Sequence, residues 1–125
     1  MRTLYTLSAL FALALLSLVV SAAGPPGTLS VGCTLNSSDA SCPPGTTPAF
    51  TAANLNPHKL YGVVGEDGNG ASFNDVFDSA NIDKLGNYSQ FSSDAGLYGD
   101  WNFTLWEFRN NLPYKPLDGP YPVTF

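Results

Sequence analysis

The pattern of apolar and polar positions changes along the chain, and its first clear element is a strand. Residues Leu60 to Val64 are apolar, with one aromatic and two β-branched side chains, and Gly65 ends the run. Such a run predicts a strand. The next five residues, Glu66 to Gly70, are rich in residue types that tolerate positive φ, so we expect the chain to reverse direction there.

Helical spacing of apolar residues follows this turn. Ser72 is a good N-cap residue, and Asp75 stands three residues later, where a capping-box partner belongs. Apolar side chains then recur at intervals of three and four residues: Phe73, Val76, Phe77 and Ala80. We therefore expect a helix from Phe73 to about Leu85.

The stretch from Trp101 to Leu112 fits two kinds of secondary structure. A helix would align four apolar side chains on one face: Trp101, Leu105, Phe108 and Leu112. Asn102 to Leu105, however, alternate between polar and apolar as a strand does. We favour the helix. A helix leaves Phe103 and Trp106 away from this row, and a strand leaves Trp106 opposite Phe103 and Leu105, so in both cases a second face carries an aromatic residue that must be covered or bind something.

Proline placement divides the chain. All ten prolines lie before His58 or after Leu112, and most of the aromatic residues lie between these two positions. Because proline interrupts regular structure, we expect a folded core at 58–112, a proline-rich arm with the disulfide loop at 24–57 and a proline-rich tail at 113–125. The fold predicted is α+β: one small domain with one or two helices, a short strand pair and proline-rich arms.

The first residues have the organisation of a signal peptide. Arg2 precedes an apolar stretch from Leu7 to Val20, and small residues follow. We expect cleavage after Ala22 or Ala23, so that residues 1–23 are removed and the mature protein is secreted and extracellular. A retained membrane anchor is the alternative, but the stretch is shorter than the roughly 20 apolar residues that span a bilayer.

The charge of the chain argues against two classes of partner. Ten acidic residues outnumber five basic ones, and the net charge is −5. Phosphate backbones and anionic lipid surfaces are bound by clusters of Lys and Arg, and the basic residues here are scattered. We therefore expect no nucleic-acid partner, and no membrane partner after signal cleavage.

Cysteines and sequons take their meaning from the predicted compartment. Cys33 and Cys42 are the only cysteines, and an even number in an oxidising compartment predicts a disulfide between them. If the host is eukaryotic, Asn-x-Ser/Thr sequons at Asn36, Asn87 and Asn102 predict surface glycans. The mature protein is thus expected to be a small acidic glycoprotein.

No catalytic or metal-binding motif emerges from the polar side chains. Acidic residues cluster from Glu66 to Asp83, but their spacing does not match a calcium loop, and we interpret them as a polar turn. Glu107 lies among aromatic residues and is interpreted as a surface charge close to Arg109. We expect no catalytic residue, no metal site and no cofactor.

Three aromatic residues near the C-terminus are candidates for ligand binding. Rings close to Asn, Asp and Gly can stack on the apolar faces of sugars, which makes Trp101, Phe103 and Trp106 candidate binding aromatics. A small domain also needs large side chains for its core, and the core is the favoured interpretation. The partner expected is an unidentified extracellular protein or a carbohydrate.

Several short segments follow one another in an order known from one enzyme family. The segments are Cys42-Pro43, His58, Asp67–Phe73, Asp94–Leu97, Tyr98–Asp100 and Asn102–Trp106. They resemble, in order, motifs of the fungal heme-thiolate peroxidases of the chloroperoxidase and peroxygenase family. The resemblance implies that Cys42 is a heme ligand. Ser92 stands where that family has its catalytic glutamate, so the resemblance implies a truncated or degenerate relative without peroxidase activity.

Two hypotheses of function follow from the sequence. The leading one is a non-catalytic, effector-like module for extracellular interaction. The alternative is a truncated heme-thiolate peroxidase-like protein that binds heme through Cys42. Carbohydrate binding through Trp101 or Trp106 is a third hypothesis.

Overall fold

The computed structural model describes residues 27–93 and 96–125, and its regular structure is almost entirely β. The strands within these residues are β1 (Thr28–Gly32), β2 (Ala49–Ala53), β3 (Leu60–Asp67), β4 (Ser72–Val76), β5 (Tyr88–Phe91), β6 (Asp100–Arg109) and β7 (Leu112–Thr124). One short 3-10 turn, Ser79–Asn81, lies between β4 and β5. The predicted signal peptide, residues 1–23, lies outside the described residues.

Two antiparallel sheets pack face to face around one core. Sheet A has the strand order β1-β2-β5, and sheet B has the order β4-β3-β6-β7. Phe50 of sheet A meets Phe103 of sheet B in the centre, with ring centroids 5.6 Å apart. The core also includes Leu29, Val31 and Val123, so it draws on both flanks of the region 58–112.

The predicted strand and turn are confirmed, but the α+β fold is wrong. Leu60 to Val64 lie in β3, and the chain reverses between β3 and β4. The residues described, 27–93 and 96–125, contain no α-helix, and none of their segments is a helix long and apolar enough to cross a bilayer. Neither predicted helix is present: a strand end, a 3-10 turn and a loop replace the first, and two strands with a turn replace the second.

The first predicted helix, from Phe73 to Leu85, is divided between β4, the 3-10 turn and a loop. Phe73 pairs with Gly65 of β3, and the absence of a side chain at Gly65 leaves room for the Phe73 ring, which lies 2.6 Å from where a Cβ would be. Pairing with a neighbouring strand therefore overrides the helical spacing of the apolar residues. Asp78 caps the short turn by accepting a hydrogen bond from Ala80 N.

Strand β6 and a hairpin replace the second predicted helix, from Trp101 to Leu112. Asn110 and Asn111 have φ values of 54° and 59°, which is the pair of left-handed residues that a two-residue hairpin turn requires. A helix does not continue through two such residues. The backbone of β6 is instead paired with β3 on one side and with β7 on the other.

The proline-rich tail is a strand of sheet B, not a loop-like arm. Strand β7 lies at the edge of its sheet, so only one of its sides pairs with a neighbouring strand, and its outer side pairs with residues 40–42 at Thr124 alone. Proline has no N–H to donate and is tolerated on such an edge. The 13 residues of β7 pair with the 10 of β6, and three register shifts take up the difference. Each shift is a bulge that bends the strand.

Candidate binding groove

The outer face of sheet B carries a groove with a volume of about 470 Å³. Its lining comes from β3, β6 and β7: Val64, Glu66, Asn102, Thr104, Trp106, Pro116, Gly119 and Pro120. Val64 pairs with Thr104 across β3 and β6, and Glu66 pairs with Asn102, so these side chains are neighbours on one face. We call this surface the Trp106 groove.

Irregular pairing of β7 shapes one wall of the groove. The register of β7 shifts between Phe103 and Leu105, and as a result both Gly119 and Pro120 lie opposite Thr104. A bulge of this kind redirects the side chains around it. Gly119 has a φ of 113°, and a Cβ there would lie 2.6 Å from the Phe103 carbonyl oxygen. The bulge therefore depends on glycine at this position.

The polar groups of the Trp106 groove are uncommitted. Trp106 is partly exposed, and its indole N–H is reachable by solvent and makes no hydrogen bond to any other described residue. The side chains of Glu66, Asn102 and Thr104 likewise form no hydrogen bond within residues 27–93 and 96–125. The groove thus presents an aromatic ring beside a carboxylate, an amide and a hydroxyl group, which together offer donors and acceptors to a ligand.

Only one of the three candidate binding aromatics lies in the groove. Trp101 is 9% exposed and Phe103 is 0% exposed, and both belong to the core between the sheets. The Trp101 indole Nε1 donates a hydrogen bond to the Tyr98 carbonyl at 2.9 Å, and its ring lies 5.5 Å from that of Phe73. Trp101 and Phe103 are therefore unavailable to a ligand, whereas Trp106 can contact one.

Most residues of the groove were not predicted from the sequence as site residues. The sequence held a usable signal for Thr104, because Asn102, Thr104 and Trp106 are spaced by two, the period of one strand face. It held no such signal for the residues that form the wall of the groove. Pro116 and Pro120 belong to a segment predicted as a tail, and only its pairing with β6 brings them beside Trp106.

The predicted disulfide between Cys33 and Cys42 is present. It closes a loop, residues 33–42, that we call the strap. The strap joins the edges of the two sheets, since Asp39 N donates to the Val31 carbonyl at 3.0 Å and Cys42 N donates to the Thr124 carbonyl at 2.8 Å. The two sulfurs lie close to the Asp39 carboxylate, but they are bonded to each other. A disulfide sulfur is not a thiolate, so Cys42 does not fit the role of a heme or metal ligand.

A second cleft, of about 560 Å³, lies between β1, β7 and the strap. Asp118 does not line this cleft but ties two of its lining residues together, because it accepts from Leu29 N at 2.8 Å and from the Tyr121 hydroxyl at 2.6 Å. The bond to Asp118 raises the pKa of Tyr121. Asp39 accepts two hydrogen bonds inside the strap, from a backbone N–H and a hydroxyl group, and they lower its pKa. Because these groups hold the cleft together, we favour the Trp106 groove as the binding site.

Glu107 is buried, contrary to the prediction of a surface charge. It is 6% exposed, and Lys59 Nζ and Arg109 Nε each lie 3.2 Å from one of its carboxylate oxygens. Burial raises the pKa of Glu107, but the two cations together outweigh that effect and hold the pKa below its ordinary value. Glu107 is a structural residue that forms ion pairs with two cations, and it does not line the groove.

The acidic residues predicted as a polar turn act separately. Asp67 Oδ1 accepts hydrogen bonds from Asn69 N and Ala71 N, at 2.9 and 2.8 Å, and so shapes the β3–β4 turn. Asp75 is buried and accepts from Gln90 Nε2 at 3.1 Å, which links β4 of sheet B to β5 of sheet A. These carboxylates stabilise loops and sheet packing and do not converge on one site.

The three sequon asparagines, Asn36, Asn87 and Asn102, are all exposed. Asn36 lies in a turn of the strap with a φ of 63°, and Asn87 lies just before β5. Asn102 differs from both because it lies within a strand and lines the Trp106 groove. Glycosylation itself stays a prediction.

No protein-family model, no curated protein and no solved structure matches this chain. The resemblance to heme-thiolate peroxidases therefore stays a prediction, and two residues of one similar segment, 94 and 95, lie outside the described residues.

Proposed function

We propose that this protein is a secreted, non-catalytic binding module and that its Trp106 groove binds carbohydrate. One observation carries the proposal: a partly exposed indole ring shares a sheet face with three uncommitted polar side chains, those of Glu66, Asn102 and Thr104. An amphipathic ring can pack on the apolar face of a sugar, while nearby donors and acceptors bind its hydroxyl groups.

The size and rigidity of the groove suit such a ligand. Its volume of about 470 Å³ falls within the range of pockets that bind small molecules. Its floor is formed by side chains of two paired strands, and sites on regular elements keep their geometry better than sites on loops. The prolines of the wall further restrict backbone movement.

The charge of the lining favours neutral sugars. Glu66 is the one charged residue among the described residues that line the groove, and no Lys or Arg is among them. An anionic polysaccharide would meet this carboxylate without a compensating cation, at a cost in free energy of binding. Neutral polysaccharides carry no such penalty, and their hydroxyl groups can donate to Glu66.

The same count supports binding over hydrolysis. Most glycoside hydrolases place two carboxylates on either side of the scissile bond, one as an acid and one as a base or nucleophile. The described lining of the Trp106 groove contains a single carboxylate, that of Glu66. A non-catalytic role is therefore proposed.

The test uses residues 24–125, oxidised and without glycans, on an array of glycans and in pull-downs with neutral polysaccharides. Binding of a polysaccharide should change the tryptophan emission. The Trp106→Ala variant should bind with an affinity lower by roughly tenfold or more, the equivalent of losing about 1.4 kcal/mol of ring contact. Phe91→Ala is the matched control, since Phe91 is 49% exposed but lies on sheet A. A blank array together with blank pull-downs would refute the proposal, as would equal binding by Trp106→Ala.

A further inference from the structure

We infer that Asn102 is a regulatory modification site whose N-linked glycan lies along the Trp106 groove and excludes other ligands. The consequence for ligand binding rests on the proposed function, but the placement of the glycan does not.

Asn102 is the sequon that places both of its required residues in the groove. Asn102 and Thr104 lie on the same face of β6 and both line the groove, beside Val64 and Glu66 of β3. By contrast, the Asn36 side chain accepts a hydrogen bond from the Ser89 hydroxyl at 3.3 Å, over sheet A. A glycan attached to Asn102 therefore begins inside the groove.

The direction of the groove leads such a glycan to Trp106. Trp106 lies four residues beyond Asn102 on the same strand face, which is about 14 Å at 3.4 Å per residue. The first sugar would lie over Val64 and Thr104, and the following sugars would reach the indole ring. The wall at Pro116 and Pro120 borders this path on the β7 side.

Because the glycan is covalently attached to Asn102, even a weak affinity for the groove is sufficient to keep a sugar bound there. A ligand tethered by a short flexible link has an effective concentration of about millimolar or higher at its site. A sugar that binds the groove with only millimolar affinity would therefore occupy it for much of the time when it is attached to Asn102. An external carbohydrate must displace this attached sugar, so occupancy of Asn102 determines whether the groove is open.

The experiment compares glycoforms of the full chain secreted from a glycosylating eukaryotic host. Intact mass and peptide mapping measure occupancy at Asn102, and acrylamide quenching measures the exposure of tryptophan. The chain has two tryptophans and Trp101 is buried, so quenching reports mainly on Trp106. We expect severalfold weaker quenching in the glycosylated protein than in Asn102→Gln.

Two further variants make the result specific. Thr104→Val removes the same glycan while keeping Asn102 and should match Asn102→Gln, which separates loss of the glycan from a change of side chain. Asn87→Gln loses a glycan elsewhere and should match the wild type. Two outcomes would overturn the inference: equal quenching with and without a glycan on Asn102, or an Asn102 without glycan in a chain glycosylated at Asn36 and Asn87.

The two proposals fail separately. If the glycosylated protein protects Trp106 but the unglycosylated protein binds no polysaccharide, the proposed function is wrong and the modification site stands. If the unglycosylated protein binds polysaccharide and Trp106 is quenched equally in both forms, the proposed function stands and the inference is wrong.

Discussion

The two faces of sheet B each carry one of the protein's two tryptophans. Trp101 and Trp106 belong to the same strand, and their odd spacing of five residues puts them on opposite faces. Trp101 faces sheet A, is 9% exposed and donates its N–H to the Tyr98 carbonyl. Trp106 faces outward, and no other described residue accepts a hydrogen bond from its N–H. Position on the strand, and not residue type, separates a core residue from a candidate ligand contact.

The outer face is nevertheless not an ordinary polar surface. Phe108 and Val64 lie on it and are 2% and 9% exposed, yet neither belongs to the core between the sheets. The Phe108 ring covers Gly62, where a Cβ would lie 2.9 Å away from it. A thin apolar layer therefore supports the groove, which helps to explain how an aromatic site is held on an exposed face.

Replacing the inner tryptophan should give the largest loss. Trp101→Ala removes a buried ring and leaves a cavity, so the free energy of unfolding should fall by about 3–5 kcal/mol, a large part of the stability of a small domain. Urea unfolding followed by circular dichroism measures it. A loss below about 1 kcal/mol would mean that the inner face is not the core.

Removing the disulfide should weaken the strap, which joins the edges of the two sheets, and it should leave the outer face of sheet B unchanged. On chain-entropy grounds, Cys33→Ser with Cys42→Ser should lower the free energy of unfolding by about 2–3 kcal/mol. Thermal unfolding with and without a reducing agent measures the loss, and the double variant, which has no bond to reduce, is the control. Acrylamide quenching of Trp106 should not change; a large change would show that the strap also supports the groove.

Acidification should destabilise the end of the inner face. The pKa of Glu107 is lowered in the folded state. Its contribution to the free energy of unfolding is therefore present above the ordinary pKa of 4.5 and is lost as the pH falls through the lower pKa of the folded state. Glu107→Gln should lower the free energy of unfolding by about 1 kcal/mol at pH 7 and make it less dependent on pH below 4.5. Asp39 is a second carboxylate with a lowered pKa, so Asp39→Asn is the variant with which the pH dependence of Glu107→Gln is compared. An unchanged pH dependence in Glu107→Gln would show that its ion pairs with Lys59 and Arg109 add no stability.

Replacing the outer tryptophan should have the smallest effect on stability. Trp106→Ala opens no cavity in the core, so the free energy of unfolding should change by less than about 1 kcal/mol. The same variant should lose nearly all acrylamide-quenchable emission of the unglycosylated protein. A loss of stability comparable to that of Trp101→Ala would contradict the assignment of Trp106 to an exposed groove.

The sequence predicted correctly those elements that depend on interactions between neighbouring residues. The run Leu60 to Val64 and the positive-φ residues after it predicted a strand and a turn, because both depend on local backbone preferences. Two cysteines, Cys33 and Cys42, allow only one pairing within the chain. For β6 the local signals conflicted, and the hairpin pair Asn110-Asn111 was the one that should have decided against a helix.

The sequence by itself determined strand β3, the turn after it and the disulfide. Tertiary structure decided the rest. Leu105 becomes a strand residue because it pairs with Val63, about 40 residues away, and the prolines of β7 join a sheet because its edge needs only one paired side. Helical and strand spacing overlap in short apolar runs, and only a partner distant in sequence selects between them, since the partner supplies the backbone hydrogen bonds and buries one face.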